Sequence, residues 1–161
     1  MTSGEKHPTT ITAPGDTEVR IERVFDAPRE VLWDYHTDPE LLCQWLGPHR
    51  LKMTVQEMDV RPGGSYRYTH EDTDGARYVF FGEYREVKRP EILECTFSFE
   101  GGGGGSIDRS EFHQLDGGER TRLLIVSTLD SKEGRDAMLE SGMEKGVREG
   151  YEKLDELLAA R

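Results

Sequence analysis

From Leu51 to Leu129 the chain alternates with a period of two, broken at short intervals by Pro, Gly and Asp. That rhythm constrains the fold more than any other feature, because only strands send alternate side chains to opposite faces. In "LKMTVQEMDV" the apolar phase runs Leu51, Met53, Val55 and then slips to Met58 and Val60, so one extra residue near Gln56-Glu57 predicts a bulge. Pro62-Gly63-Gly64 is a turn, and "SYRYTH" sets Tyr66, Tyr68 and His70 on one face. Asp72-Thr73-Asp74-Gly75 turns again into "RYVFFGEYREV". "ILECTFSFE" alternates Leu93, Cys95, Phe97 and Phe99 against Glu94, Thr96 and Ser98, the mark of a half-buried strand. "SIDRSEFHQL", a turn at Asp116-Gly117-Gly118, and "RTRLLIVSTL" close the run as a hairpin. Six consecutive strands joined by tight turns predict a curved antiparallel meander with one face in need of a cover.

The flanking segments supply that cover. Val19, Ile21, Val24 and Phe25 read as a first strand, and "DAPREVLWDYHTDPELLCQWLGP" as two short helices. Asp26 is the expected cap of the first, with Pro28 in its first turn. Asp38-Pro39 restarts the chain into the second, which Gly47-Pro48 stops. Leu32, Trp33, Leu41, Leu42, Trp45 and Leu46 form their apolar faces. One long helix is expected over residues 131–160, capped by Asp130 or Ser131, with the stripe Met143, Val147, Tyr151, Leu154 and Leu158. Gly142, Gly146 and Gly150 recur beside that stripe, although glycine costs a helix about 1 kcal/mol relative to alanine. Two uses remain open for them: close approach of another backbone, or open volume beside Met143 and Tyr151.

Residues 1–16 are polar and aperiodic and read as a flexible tail, leaving residues 17–160 as a single domain. The run Gly101 to Gly105 reads as a mobile loop between strands, either natural or an engineered linker. It is no phosphate cradle, since no strand leads from it into a helix. A formal charge of −11, from 32 acidic and 21 basic residues, argues against nucleic acid and anionic membrane surfaces as partners. With neither a spanning apolar run nor a signal-peptide core, the expectation is a soluble, cytoplasmic protein. Cys43 and Cys95 stand far apart and are expected as two buried free thiols.

The residues offer no catalytic set. No GxSxG or HExxH motif and no metal-spaced cluster of His, Cys and Asp occurs, so no catalytic residue, metal or cofactor is expected. Among five histidines, His70 and His113 sit on strands where they could reach the interior. The aromatics carry more information: a ligand site is mostly apolar with a few polar groups, and the concave strand faces are rich in rings. Trp45, Tyr68, His70, Phe81, Phe97, Phe99 and Met143 are the expected pocket residues. Whether Phe80 or Phe81 points inward depends on register, because a slip of one residue exchanges the faces.

Four segments, "FDAPREVLWDYHTDPELLCQWLGP", "MDVRPGGSYRY", "GEYREVKRPEILECTFSF" and "MLESGMEKGVREGYEKLDELL", occur in this order. With them the chain resembles the activator-of-Hsp90-ATPase-homologue-like branch of the START/Bet v1-like (SRPBCC) superfamily over residues 17–160. Leu46 departs from many relatives, which carry a second tryptophan before Gly-Pro. The resemblance implies an α+β helix-grip fold: a seven-stranded curved antiparallel sheet around a long C-terminal helix, with a cavity between them and two short helices between strands 1 and 2. That fold, the aromatic strand faces and the lack of a catalytic set together give a hydrophobic or aromatic small molecule as the expected partner, held without covalent chemistry. Two alternatives stand beside that reading. One is a cyclase or hydratase using His70 or His113 as a base. The other is a co-chaperone-like interaction domain, set lower because full Hsp90 activators carry a further N-terminal domain.

Overall fold

A computed structural model describes residues 7–102 and 104–161. Among these residues one antiparallel sheet of eight strands carries the fold, in the spatial order β1-β2-β8-β7-β6-β5-β4-β3. The strands are β1 (Thr10–Thr12), β2 (Glu18–Phe25), β3 (Lys52–Met58), β4 (Ser65–Glu71), β5 (Arg77–Lys88), β6 (Ile92–Phe99), β7 (Gly105–Leu115) and β8 (Arg120–Leu129). The meander β3 to β8 matches the six strands expected from the alternation, and β2 matches the first. The expected bulge is present, as the β3–β4 register shifts between Val55 and Glu57. A second shift, between Tyr84 and Glu86, bends β5 against β6.

The eighth strand is a correction. Thr10–Thr12, expected within a flexible tail, pairs with β2 at Ile11↔Ile21, and Thr9 is buried. Arg135 explains why this polar segment is ordered: its guanidinium donates to the carbonyls of Ala13, Gly15 and Glu18. Residues 1–6 of that expected tail lie outside the described residues.

Between β2 and β3 run α1 (Arg29–Thr37) and α2 (Pro39–Leu42). Pro28, not Asp26, precedes α1 in an extended conformation, and no side chain caps it; Asp26 instead hydrogen-bonds His7 at 2.9 Å. Asp38 does cap α2, accepting from the Glu40 N–H at 2.9 Å, with Pro39 at the first helical position. The C-terminal helix is also corrected. Ser131 caps α3 (Lys132–Glu140), and α4 (Met143–Ala159) starts anew after Gly142, whose φ of +86° breaks the helix. Of the other two glycines, Gly150 serves close approach and Gly146 makes only an ordinary contact. A Cβ on Gly150 would lie 3.0 Å from the Trp45 carbonyl oxygen, and one on Gly146 would lie 3.5 Å from Pro48 Cδ.

The core lies between the concave face of the sheet and α1 and α4. Phe25, Leu32, Trp33, Phe112, Leu123, Tyr151, Leu154 and Leu158 are buried there as one cluster. Edge-to-face contacts fix the rings: Phe25 on Tyr151 at 5.0 Å and Trp33 on Phe112 at 5.4 Å. Among the described residues no helix is long and apolar enough to cross a membrane.

Candidate functional site

Register decides which side chains share the concave face. Tyr68 pairs with Phe80, His70 with Tyr78, and Tyr66 with Gly82 across β4 and β5. Phe80 pairs in turn with Phe99 on β6, while Phe97 pairs with Ser106 and Cys95 with Asp108 on β7. Asp108 faces Ser127, and Ser110 faces Ile125, on β8. Paired residues project to the same side. Tyr66, Tyr68, His70, Phe80, Phe97, Phe99, Cys95, Ser106, Asp108, Ser127 and Ile125 therefore line one surface.

Phe81 is the correction this register forces. It pairs with Arg67 and Ser98 on the convex side, where the Arg67 guanidinium lies 5.6 Å from its ring. Phe80 takes the inward place, its ring 5.4 Å from Tyr68, 5.2 Å from Phe97 and 5.3 Å from Phe99. Phe97 and Phe99 differ in setting, Phe97 stacking on Phe80 and Phe99 ending β6 with 39% of its surface exposed. Met143 opens α4, partly buried against the core. Trp45 lies in the closed part of the core, its Nε1 donating to the Tyr35 carbonyl at 2.9 Å and its ring 6.0 Å from Tyr151.

The two strand histidines separate. His113 is on the convex side, opposite Arg122 and hydrogen-bonded to Glu111 at 2.9 Å. His70 is 5% exposed on the concave side, with its ring edge-on to Tyr68 at 5.4 Å. Gly47 lies directly over it, since a Cβ there would approach His70 Cε1 to 2.6 Å. Burial, aided by the Lys153 charge, lowers the His70 pKa to about 4, and the buried Nδ1 has no hydrogen-bond partner among the described residues. His36, packed 5.0 Å from Trp45 and 5.3 Å from Phe112, is likewise held to about 4 by burial.

Burial is uneven along α4. Leu154 and Leu158 of α4 are fully packed, whereas Met143 and Val147 at its start are partly exposed. On the concave face of the sheet Val55, Met58, Phe80, Cys95, Phe97 and Ile125 also keep accessible surface. A depression of about 310 Å³ lies elsewhere, on the convex side among Glu57, Arg67, Phe81, Glu83, Thr96 and Ser98. Its mixed charges suit solvent better than an apolar ligand.

A polar group interrupts the aromatic wall. Asp108 accepts a hydrogen bond from the Ser106 hydroxyl at 2.8 Å and is also bonded to Ser127; burial nonetheless raises its pKa above the usual carboxylate range. Burial, with Asp108 close by, raises the Tyr68 hydroxyl as well and pushes the Cys95 thiol to about 12. Tyr66 donates to the Thr96 carbonyl at 2.6 Å, and Cys95 Sγ lies 3.9 Å from its oxygen. The sequence reading missed Asp108, Ser106 and Ser127. The signal was available in "SIDRSEFHQL", where Ser106, Asp108 and Ser110 share the phase of Phe112. The cysteines also differ from expectation: Cys95 is partly buried but Cys43 is exposed.

The sequence profile described as activator of Hsp90 ATPase homolog 1-like protein matches residues 26–159. The fold is similar to a crystal structure of a Rhodobacter sphaeroides protein, with 27% identity and a TM-score of 0.89 over 96% of this chain and 100% of that one. It is also similar to an Arthrobacter aurescens protein solved by NMR, at 28% identity and TM-score 0.85 over 94% and 92% of the two chains. A crystal structure of a Mycobacterium smegmatis protein gives 28% identity and TM-score 0.84 over 96% and 99%. Comparison with curated proteins gives no match.

Proposed function

The chain belongs to the activator of Hsp90 ATPase homolog 1-like family, and we propose that it holds an apolar or aromatic small molecule on its concave face. The observation that carries this is the wall of Tyr68, Phe80 and Phe97, with the Phe80 ring 5.4 Å from Tyr68 and 5.2 Å from Phe97 and both phenylalanines only partly buried. A continuous aromatic surface left partly accessible inside a fold supports a ligand site, because burying it on binding releases water from apolar area. Phe99 stands at the accessible end, and Met143 and Val147 form the helical side. Met143, unbranched, adapts its shape to differing occupants. No covalent step enters the proposal. The alternative with a pocket histidine is reduced to His70, since His113 faces outward.

Titration of 15N-labelled protein with the uncharged probe N-phenyl-1-naphthylamine and with a panel of neutral aromatics tests the reading. Expected are saturable shifts at the amides of Phe80, Phe97, Ile125 and Met143. Shifts confined to the convex residues Arg67, Phe81 and Glu83, or none at all, would overturn it.

A further inference from the structure

Asp108 is the odd member of the concave face. Its partners across the register are the Cys95 thiol and the Ser127 hydroxyl, and it carries a carboxylate close to Cys95, Tyr66 and Tyr68, on a face whose other charged or ionisable side chains include His70 and, on β2, Arg23. A carboxylate has about four acceptor positions on its two oxygens. Two hydroxyls, from Ser106 and Ser127, occupy part of that capacity. Among the described residues no arginine, lysine or histidine pairs with it. Elsewhere the interior treats charge differently: the buried Arg23 guanidinium meets Asp155 through two 2.6 Å hydrogen bonds. An interior carboxylate without a cation costs stability, so its presence on this face calls for a cation from outside the chain.

We propose that the concave face binds an organic amine, with a protonated nitrogen on Asp108 and a flat apolar body against Tyr68, Phe80 and Phe97. The proposal rests on the small-molecule reading of the same face. The charge-assisted bond from N–H⁺ to the carboxylate is roughly twice as strong as a neutral one. The rings add attraction, because their faces carry negative quadrupole density toward a nearby cation. The Tyr68 ring lies 5.4 Å from Phe80 and 6.1 Å from Tyr66, whose hydroxyl is 3.9 Å from Sγ of Cys95, the residue paired with Asp108 across β6 and β7. The same carboxylate selects against anionic amphiphiles such as fatty acids, since bringing a second carboxylate beside it adds repulsion in a desolvated site. The net charge of −11 reinforces the preference by raising the local concentration of cations.

Three probes of one shape separate the possibilities: 1-naphthylmethylamine, 1-naphthylmethanol and 1-naphthoate, titrated calorimetrically and by amide shifts into the full-length protein and into Asp108→Asn. The amine is expected to bind about ten-fold tighter than the alcohol, with naphthoate the weakest. In Asp108→Asn the amine falls to the level of the alcohol, while the alcohol itself is little changed. Thermal unfolding of the variant checks that the fold persists. If it does not, the amine-to-alcohol ratio in the unaltered protein decides alone. Equal affinity for amine and alcohol, or an amine preference that survives Asp108→Asn, overturns the amine assignment and leaves small-molecule binding intact. Failure of all three probes to shift concave-face amides overturns both.

Discussion

Arg23 and Asp155 join β2 to α4 through two parallel hydrogen bonds of 2.6 Å, with the Arg23 side chain wholly buried. The guanidinium also lies 4.7 Å from the Phe25 ring and 5.9 Å from Tyr151. Planar, bidentate geometry suits arginine in a way lysine would not match. This pair anchors the second half of α4 to β2, while the first half is held by Arg148, which donates to the Thr9 carbonyl at 3.1 Å, and by Glu149, which accepts from the His49 N–H at 3.0 Å.

Removing one partner leaves the other charge buried. Asp155→Ala is expected to destabilise by about 3–5 kcal/mol, whereas Arg23→Met with Asp155→Leu recovers most of that loss. Denaturant unfolding of the single and double variants measures both. A single variant within experimental error of the parent would show that the pair is solvated.

The two helix glycines predict opposite outcomes. Gly146→Ala meets only Pro48 Cδ at 3.5 Å, an ordinary contact, and gains up to about 1 kcal/mol of helix propensity. Gly150→Leu drives its Cβ to 3.0 Å from the Trp45 carbonyl and is expected to cost about 1–3 kcal/mol through overpacking. Thermal melts of the two side by side read the difference, and equal shifts would refute the close-approach account.

Acid is expected to weaken the fold through its histidines. His70 is held to about 4 against an ordinary 6.5, so the unfolded chain binds a proton in that interval and the native chain does not. Stability is therefore present above pH 6.5 and lost as the pH falls toward 4, by up to about 1.4 kcal/mol per pH unit from each such group. His36 acts in the same direction. Asp108, whose pKa is raised, acts in the opposite one, becoming less costly as acid protonates it. Stability measured across this range for the parent and for His70→Gln isolates one contribution; an unchanged slope in the variant would count against burial of the imidazole.

Neighbouring phenylalanines should separate sharply. Phe80→Ala removes a ring that touches Tyr68, His70, Phe97 and Phe99 and is expected to cost about 3 kcal/mol. Phe81→Ser, on the convex side under Arg67, is expected to stay within about 0.5 kcal/mol. Urea midpoints of the two variants check the register directly.

That pair of residues marks where the sequence stopped being sufficient. In "RYVFFGEYREV" both rings fit an alternating strand, and choosing between them requires knowing that Tyr68 pairs with Phe80 across a hairpin. The turn chemistry at Asp72-Thr73-Asp74-Gly75 located the hairpin without setting its register to the residue. Asp108 was missed for a related reason: in an acidic chain a carboxylate on a strand reads as a solvated face, until the phase of Phe112 shows it turned inward.

Periodicity by itself determined the meander from β3 to β8, the bulge after Val55, the apolar stripe of α4 and the presence of two short helices, because each depends on side-chain phase within one segment. The second of those helices nevertheless ends at Leu42 and not at Gly47. Tertiary structure alone decided the rest. The edge strand Thr10–Thr12 exists because β2 offers an open edge and Arg135 binds the carbonyls that follow. The C-terminal helix divides where Gly142 takes a positive φ, and Gly146 and Gly150 lie where the Trp45–Pro48 segment crosses. These outcomes depend on contacts between residues distant in sequence, whose free energies no local pattern encodes.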